Sequence, residues 1–134
     1  MRKTLLMAAL LLVSTVLSFS ATSAQAPVVV TMNAENGSGQ TGAATLTAMG
    51  LQTLVQINIA PGPGGVAQPV HIHSGRCPNV AAIVHVLSDV VNGSSTTLVN
   101  ASLQELANGN LAINAHKSAL EIAISTSCGD IPLQ

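Results

Sequence analysis

Apolar and polar residues alternate along most of the chain beyond residue 27, a spacing typical of β-strands that bury one face. In residues 51–60, for example, the β-branched and leucine positions share one face, while glutamine and asparagine share the other. The same alternation predicts seven further strands, at residues 28–35, 41–49, 69–73, 80–87, 95–101, 111–118 and 119–126. Glycine-rich, proline-rich and serine-rich stretches such as ENGSGQ, PGPGG and NGSS separate several of them, as turns do.

A single short helix interrupts this pattern. Ser102 is followed three residues later by Glu105, the spacing of a capping box, and Gly109 suits the left-handed end of a helix. Residues 102–109 therefore predict about two helical turns between two strands. Short strands spaced by 8 to 12 residues with one helix in a connection are typical of an all-β, Greek-key β-sandwich.

The first 26 residues follow the pattern of an export signal. Two basic residues precede an apolar run of about 16 residues, and small residues end the segment. The run is shorter than the roughly 20 residues of a membrane span. We expect cleavage after Ala24 or Ala26, which would release one soluble domain, residues 27–134, into the periplasm or the medium.

Composition and charge exclude several classes of function. The only aromatic residue, Phe19, lies in the export signal, so the core must consist of aliphatic residues and methionine. Residues 27–134 carry only Arg76 and Lys117 against five carboxylates, a formal charge of −3. Nucleic-acid binding and polybasic membrane contact both need clustered cations, so we expect neither partner after cleavage. The sequence indicates no particular protein partner.

The two cysteines, Cys77 and Cys128, predict one disulfide. An even number of cysteines in an exported chain usually forms bridges, because the compartment is oxidising. Closing a loop of about 50 residues stabilises a domain by on the order of 4 kcal/mol in the chain-entropy description.

The histidines carry the most specific chemistry of the chain. His71 and His73 stand two residues apart in a predicted strand, so both side chains project from one face, with Cα atoms about 6.5 Å apart. Two such imidazoles can chelate a metal ion, or they can be ordinary polar positions of a sheet. His116 projects from a later strand, and the predicted disulfide would draw that strand toward the first two. Three imidazoles with an open position suit copper better than magnesium or calcium.

The segments HIHSGRC, INAHKS and SCGDI, in this order, resemble three signature segments of the copper/zinc superoxide dismutases. In that family a His-x-His strand and a late histidine supply copper ligands, and two cysteines form a bridge. The resemblance implies copper ligation by His71, His73 and His116, and a bridge between Cys77 and Cys128. HIHSG followed by a β-branched run also resembles the CHRD domain, a secreted module named from chordin.

The chain departs from the dismutase pattern at several positions. The interval that holds zinc ligands in that family offers only His85 and Asp89 here, and His85 occupies a strand position. His85 is therefore a possible further metal ligand, with a strand residue as the alternative. A closed zinc site needs about four protein ligands, so we expect no zinc. Ser125 stands where the dismutases carry an arginine that guides superoxide, which argues against efficient turnover.

Arg76 and Lys117 follow candidate ligands closely in the sequence. A local positive charge on an acidic protein steers anions toward a site, so both residues are candidates for anion steering. The alternative is that each one solvates the end of a strand.

Three functions remain open at this level. The first is an exported copper-binding domain, the second is a weak copper-dependent superoxide dismutase, and the third is a metal-free structural or interaction module. No Gly-x-Ser-x-Gly segment or pair of neighbouring carboxylates suggests another catalytic chemistry.

Overall fold

In the computed structural model, which describes residues 17–18 and 24–134, the chain forms an all-β, curled antiparallel sheet. Strands make up 56% of the structure and helix only 4%, so the predicted all-β class is confirmed. The predicted export signal, residues 1–26, lies almost entirely outside the described residues. Within the described part of the chain, no helix is long and apolar enough to cross a membrane.

Ten strands and one helix follow one another along the chain. They are β1 (Val28–Ala34), β2 (Thr41–Met49), β3 (Gln52–Ala60), β4 (Ala67–Gln68), β5 (Val70–Arg76), β6 (Asn79–Val86), β7 (Val90–Val91), β8 (Ser94–Val99), α1 (Leu103–Leu106), β9 (Leu111–His116) and β10 (Ser125–Ile131). Their order across the sheet is β4-β7-β8-β3-β2-β1-β10-β9-β5-β6. Seven of the eight predicted strands coincide with observed ones, whereas the two-residue strands β4 and β7 were not predicted.

The short connection between β4 and β5 requires the sheet to curl. Strand β4 lies at one edge and β5 lies next to the other edge, yet only Pro69 separates them in sequence. The two ends must therefore meet around this residue. Two backbone hydrogen bonds hold the junction: the Leu87 amide donates to the Val70 carbonyl at 3.0 Å, and the His116 amide donates to the Pro69 carbonyl at 2.9 Å.

The inner face of the curl is the hydrophobic core. As the composition predicts, its members are aliphatic residues and methionine. The largest fully buried apolar side chains are Met32, Leu46, Ile57, Ile72, Leu103, Leu106, Ile113, Ile131, Val30, Val55 and Val70. One face of β5 and β9 packs into this core, so only the side chains on their opposite face are available for binding or catalysis.

Gly129 allows the sheet to bend between β1 and β10. Strand β1 pairs with β2 over five positions but with β10 only at its last two residues, Asn33 and Ala34. A Cβ atom at Gly129 would lie 2.5 Å from the Thr31 carbonyl oxygen and 2.9 Å from the Met32 sulfur. Only glycine lets β10 run this close to β1, and this approach positions β9 and β5 beyond it.

The predicted strand at residues 119–126 is wrong. Residues 117–124 instead form the connection between β9 and β10, and the strand covers Ser125–Ile131. Leu120, one of the alternating apolar positions of this segment, is 98% exposed. The physical reason is that two adjacent antiparallel strands need a turn between them. Strands at residues 111–118 and 119–126 would leave no residues for that turn. The connection turns through hydrogen bonds from the Glu121 amide to the Ser118 carbonyl and from the Ile124 amide to the Glu121 carbonyl.

The predicted capping box and disulfide are both confirmed. The Glu105 amide donates to the Ser102 side chain, and the Glu105 carboxylate accepts from the Ser102 amide, so α1 begins as the sequence indicates, but it ends at Leu106 after about one turn and not two. Cys77 and Cys128 form a disulfide with a Cα–Cα distance of 5.9 Å. The bridge fastens the turn after β5 to the middle of β10.

Candidate metal centre

Strands β5 and β9 bring the three predicted ligands together on the outer face of the sheet. The two strands are antiparallel neighbours in which His71 is aligned with Asn114 and His73 with Ala112. Ile72, between the two histidines, belongs to the core, so both imidazoles project from the opposite face. His116 follows Asn114 by two residues in β9 and therefore projects from that same outer face.

The three imidazoles lie close enough together to form a possible metal site. One ring nitrogen from each of His71, His73 and His116 lies within 4.8 Å of the others. The closest pair is His71 Nδ1 and His116 Nε2, which are 3.2 Å apart. Metal–imidazole bonds of about 2.0–2.1 Å to this pair would enclose an angle of roughly 100–105°, close to the tetrahedral value. This pair already stands at ligand spacing, and an ion bound here would replace the hydrogen bond between the two nitrogens.

Burial distinguishes this cluster from a polar patch on a sheet surface. Each of the three histidines is only 7% exposed. Among the described residues, four buried side-chain atoms lack a hydrogen-bond partner: His73 Nε2, His116 Nδ1, Asn114 Oδ1 and Ser127 Oγ. The first three belong to the outer face where the imidazoles meet. Buried polar atoms are nearly always paired, so His73 Nε2 and Asn114 Oδ1 are the atoms of this face most available to a ligand, whereas His116 faces His71 through its other nitrogen, Nε2.

Hydrogen bonding determines which nitrogen His73 can offer. Its Nδ1 lies 2.9 Å from the Ala81 carbonyl oxygen, and a carbonyl only accepts, so Nδ1 carries the proton. The lone pair of Nε2 is then free to bind a metal. A carbonyl partner on the second nitrogen is the usual means by which proteins orient a ligating imidazole.

The electrostatics of the cluster favour neutral imidazoles, the form that binds metals. Burial lowers the pKa of His71, and the neighbouring His73 lowers it further, while the Asp89 carboxylate acts in the opposite direction. The pKa of His116 is likewise lowered, first by burial and then by the charges of His71 and His73. The lowered pKa values therefore favour uncharged imidazoles at His71 and His116 at neutral pH.

His85 does not join the cluster. It is aligned with Ile72, so its side chain lies on the opposite face of the sheet from His71 and His73. The pKa of Glu105 is lowered by hydrogen bonds from Ser102 and also by the charge of His85, which locates His85 near α1. His85 is thus a strand residue, as its alternation suggested, and the structure gives it no shared space with the other imidazoles.

Arg76 and Lys117, the candidates for anion steering, each form an ion pair. Arg76 contacts the Asp130 carboxylate at 2.9 Å and also donates to the Gly109 carbonyl. Lys117 contacts Glu121 at 2.7 Å. Both side chains are exposed, but a carboxylate offsets each charge. Anion steering by these residues therefore stays a prediction, and the ion pairs weaken the field on which it depends.

Two further features near the cluster are not metal sites in this state. Glu35 lies within 4.8 Å of Cys77 and Cys128, but both sulfurs are in the disulfide, and only thiolates ligate metals well. A cavity of about 890 Å³ lies beside the connection at residues 117–124, with Gln68 among its lining residues. None of the histidines lines it, so it is separate from the imidazole cluster.

Sequence reasoning did not single out Asn114 as a functional residue. It occupies the outer face directly across from His71, is 2% exposed, and has an unpaired side-chain oxygen. The sequence did offer one signal: Asn114 stands two residues before His116 in an alternating strand and therefore shares its face. A buried position of this kind is normally apolar.

Comparison with protein-family models, curated proteins and solved structures finds no match to this chain.

Proposed function

We propose that this protein is an exported copper-binding domain whose ion is held by His71, His73 and His116. The proposed architecture is a Greek-key β-sandwich of the kind found in copper/zinc superoxide dismutases and CHRD domains. The observation that carries the proposal is the group of three buried imidazoles, each with a ring nitrogen within 4.8 Å of the others, together with the unpaired Nε2 of His73. Export is supported by the basic and apolar N-terminal pattern and, weakly, by the disulfide.

The donor set favours copper over the other common ions. Imidazole nitrogens suit copper, zinc, iron and nickel, whereas magnesium and calcium require oxygen ligands. Among divalent first-row metals, nitrogen sites bind Cu(II) most tightly. When bound, copper would supply one-electron redox chemistry. The protein's own contribution is to hold neutral imidazoles in a buried position and, through Ala81, to orient His73.

Copper titration tests the proposal directly. The purified protein should bind one equivalent of Cu(II), with an electron paramagnetic resonance spectrum that shows nitrogen ligation. His71→Ala and His116→Ala should each weaken binding by about tenfold or more, since each removes a ligand. His85→Ala is the matched control, because this histidine lies on the opposite face, and it should leave the affinity unchanged. Equal affinity of all three variants and the original chain would refute the site.

The same preparation distinguishes the two alternative functions. Superoxide disproportionation by the copper-loaded protein, abolished by His116→Ala, would assign a dismutase. Tight copper binding without turnover would leave a binding or buffering domain. Failure to bind copper at micromolar concentration would leave a metal-free structural or interaction module.

A further inference from the structure

Asn114 is a polar residue in a position that an apolar side chain would normally fill. It is 2% exposed and lies on the outer face of β9, aligned with His71 and two residues before His116. Its Oδ1 atom has no hydrogen-bond partner among the described residues. A buried amide oxygen without a partner destabilises the fold, so its presence here requires an explanation.

One hydrogen bond orients this amide. Asn114 Nδ2 donates to Ser125 Oγ at 2.8 Å. The amide nitrogen only donates, so the Ser125 oxygen is the acceptor in this contact. The nitrogen end of the amide is therefore committed to Ser125, and the oxygen end is the one that remains unpaired.

This orientation directs the unpaired oxygen toward the imidazoles. Ser125 belongs to β10, which lies on one side of β9, and His71 belongs to β5, which lies on the other side. Because the oxygen and nitrogen of an amide diverge from the same carbon, Oδ1 faces away from β10 and toward β5. Side chains directly opposite each other in neighbouring strands have Cβ atoms about 5 Å apart, within reach of a shared ion.

We propose that the side-chain oxygen of Asn114 is the fourth protein ligand of the copper ion, beside His71, His73 and His116. The inference rests on the copper site proposed above and extends it. Three nitrogens and one amide oxygen form a harder donor set than three nitrogens alone. Mixed nitrogen and oxygen donors suit tetragonal Cu(II), whereas Cu(I) prefers soft sulfur ligands. The site should therefore hold Cu(II) in preference to Cu(I).

Asn114→Leu tests this assignment by removing the oxygen while preserving most of the volume. We expect its Cu(II) affinity, measured by competition with a chelator, to fall by about tenfold or more. Its Cu(I) affinity should change much less, and the electron paramagnetic resonance parameters of bound Cu(II) should shift. Asn114→Asp supplies an oxygen in the same place and should retain tight Cu(II) binding. Asn58→Leu, at an exposed strand position of β3, is the matched control and should behave as the original chain does.

The outcomes separate this inference from the copper site itself. Absence of Cu(II) binding by the original chain would refute both. Binding by the original chain with the same affinity and spectrum in Asn114→Leu would refute ligation by Asn114 and leave the three-histidine site intact. Misfolding is recognisable by circular dichroism of the metal-free variant. We expect Asn114→Leu to fold without metal, because removal of an unpaired buried oxygen and burial of an apolar side chain offset the lost hydrogen bond to Ser125. If Asn114→Leu misfolds, Asn114→Asp decides alone: an unchanged spectrum would refute the assignment.

Discussion

Replacement of Gln68 by leucine should destabilise the protein by opening the junction where the sheet curls back on itself. Gln68 is 2% exposed and lies in β4, next to the proline that links the two ends of the sheet. Its Nε2 lies 3.1 Å from the His116 carbonyl, 3.1 Å from Gln40 Oε1 and 3.2 Å from Thr126 Oγ1. Its Oε1 accepts from Gln40 Nε2 at 2.8 Å.

The magnitude follows from these four contacts. The amide nitrogen carries only two hydrogens, so at most three full hydrogen bonds form at one time, and about 0.5–1.5 kcal/mol for each gives roughly 1.5–4.5 kcal/mol. Burial of the leucine side chain offsets on the order of 1–2 kcal/mol of this loss. Gln40 and Thr126 keep one hydrogen bond to each other at 2.7 Å, so the network is not wholly unpaired. We expect the free energy of unfolding to fall by about 2 kcal/mol.

Urea denaturation at 25 °C, with linear extrapolation, measures this loss. Gln56→Leu is the matched control, because Gln56 is exposed in β3 and its replacement should change the free energy by less than about 0.5 kcal/mol. A loss below about 1 kcal/mol in Gln68→Leu, with an unchanged denaturant slope, would refute the reasoning. The glutamine network would then not be what holds the junction closed.

Three further predictions concern pH, the disulfide and the connection at residues 117–124. Because burial lowers the pKa of His71 and His116, the unfolded chain binds more protons than the metal-free folded chain below about pH 6.5. The urea midpoint of metal-free protein should therefore be lower at pH 5.5 than at pH 7.5, and an equal midpoint would contradict the proposed burial. Combined Cys77→Ser and Cys128→Ser replacement opens a loop with a sequence separation of 51 and should cost on the order of 4 kcal/mol. An unchanged melting temperature under non-reducing conditions would contradict this. Leu120→Glu should change stability by less than about 0.5 kcal/mol, because Leu120 is 98% exposed. A loss of several kcal/mol would instead indicate that Leu120 packs inward in a strand.

Local pattern predicted most of the strands correctly because each of them buries one face. In β1 and β3 the buried positions alternate with exposed ones, so period two is visible in the sequence itself. The pattern failed at residues 119–126, where Leu120, Ile122 and Ile124 alternate as in a strand but lie in a connection. Alternation shows only that a segment is compatible with a strand. Whether the segment forms a strand also depends on whether enough residues remain for the turns that connect it to its neighbours.

The candidate metal centre was likewise predictable from the sequence only in part. The His-x-His spacing places two imidazoles on one face of any extended strand, so His71 and His73 were predictable from sequence alone. His116 joins these two imidazoles only because β9 is the neighbour of β5. That pairing brings together His71 and His116, which are 45 positions apart in the sequence. Asn114 and His85 illustrate the limit, because only the strand register shows that one faces the cluster and the other does not.

The sequence by itself determined the strand periodicity, the aliphatic core, the capped helix, the cysteine pair and the residue types able to bind a metal. These are properties of spacing and composition over a few residues, or of a single possible pairing. Only the tertiary structure decided which strands are neighbours, which face of each is buried, and which polar atoms lack partners. Those depend on non-local strand pairing and on the curl of the whole sheet, and a pattern along one strand carries no information about the strand that will lie beside it.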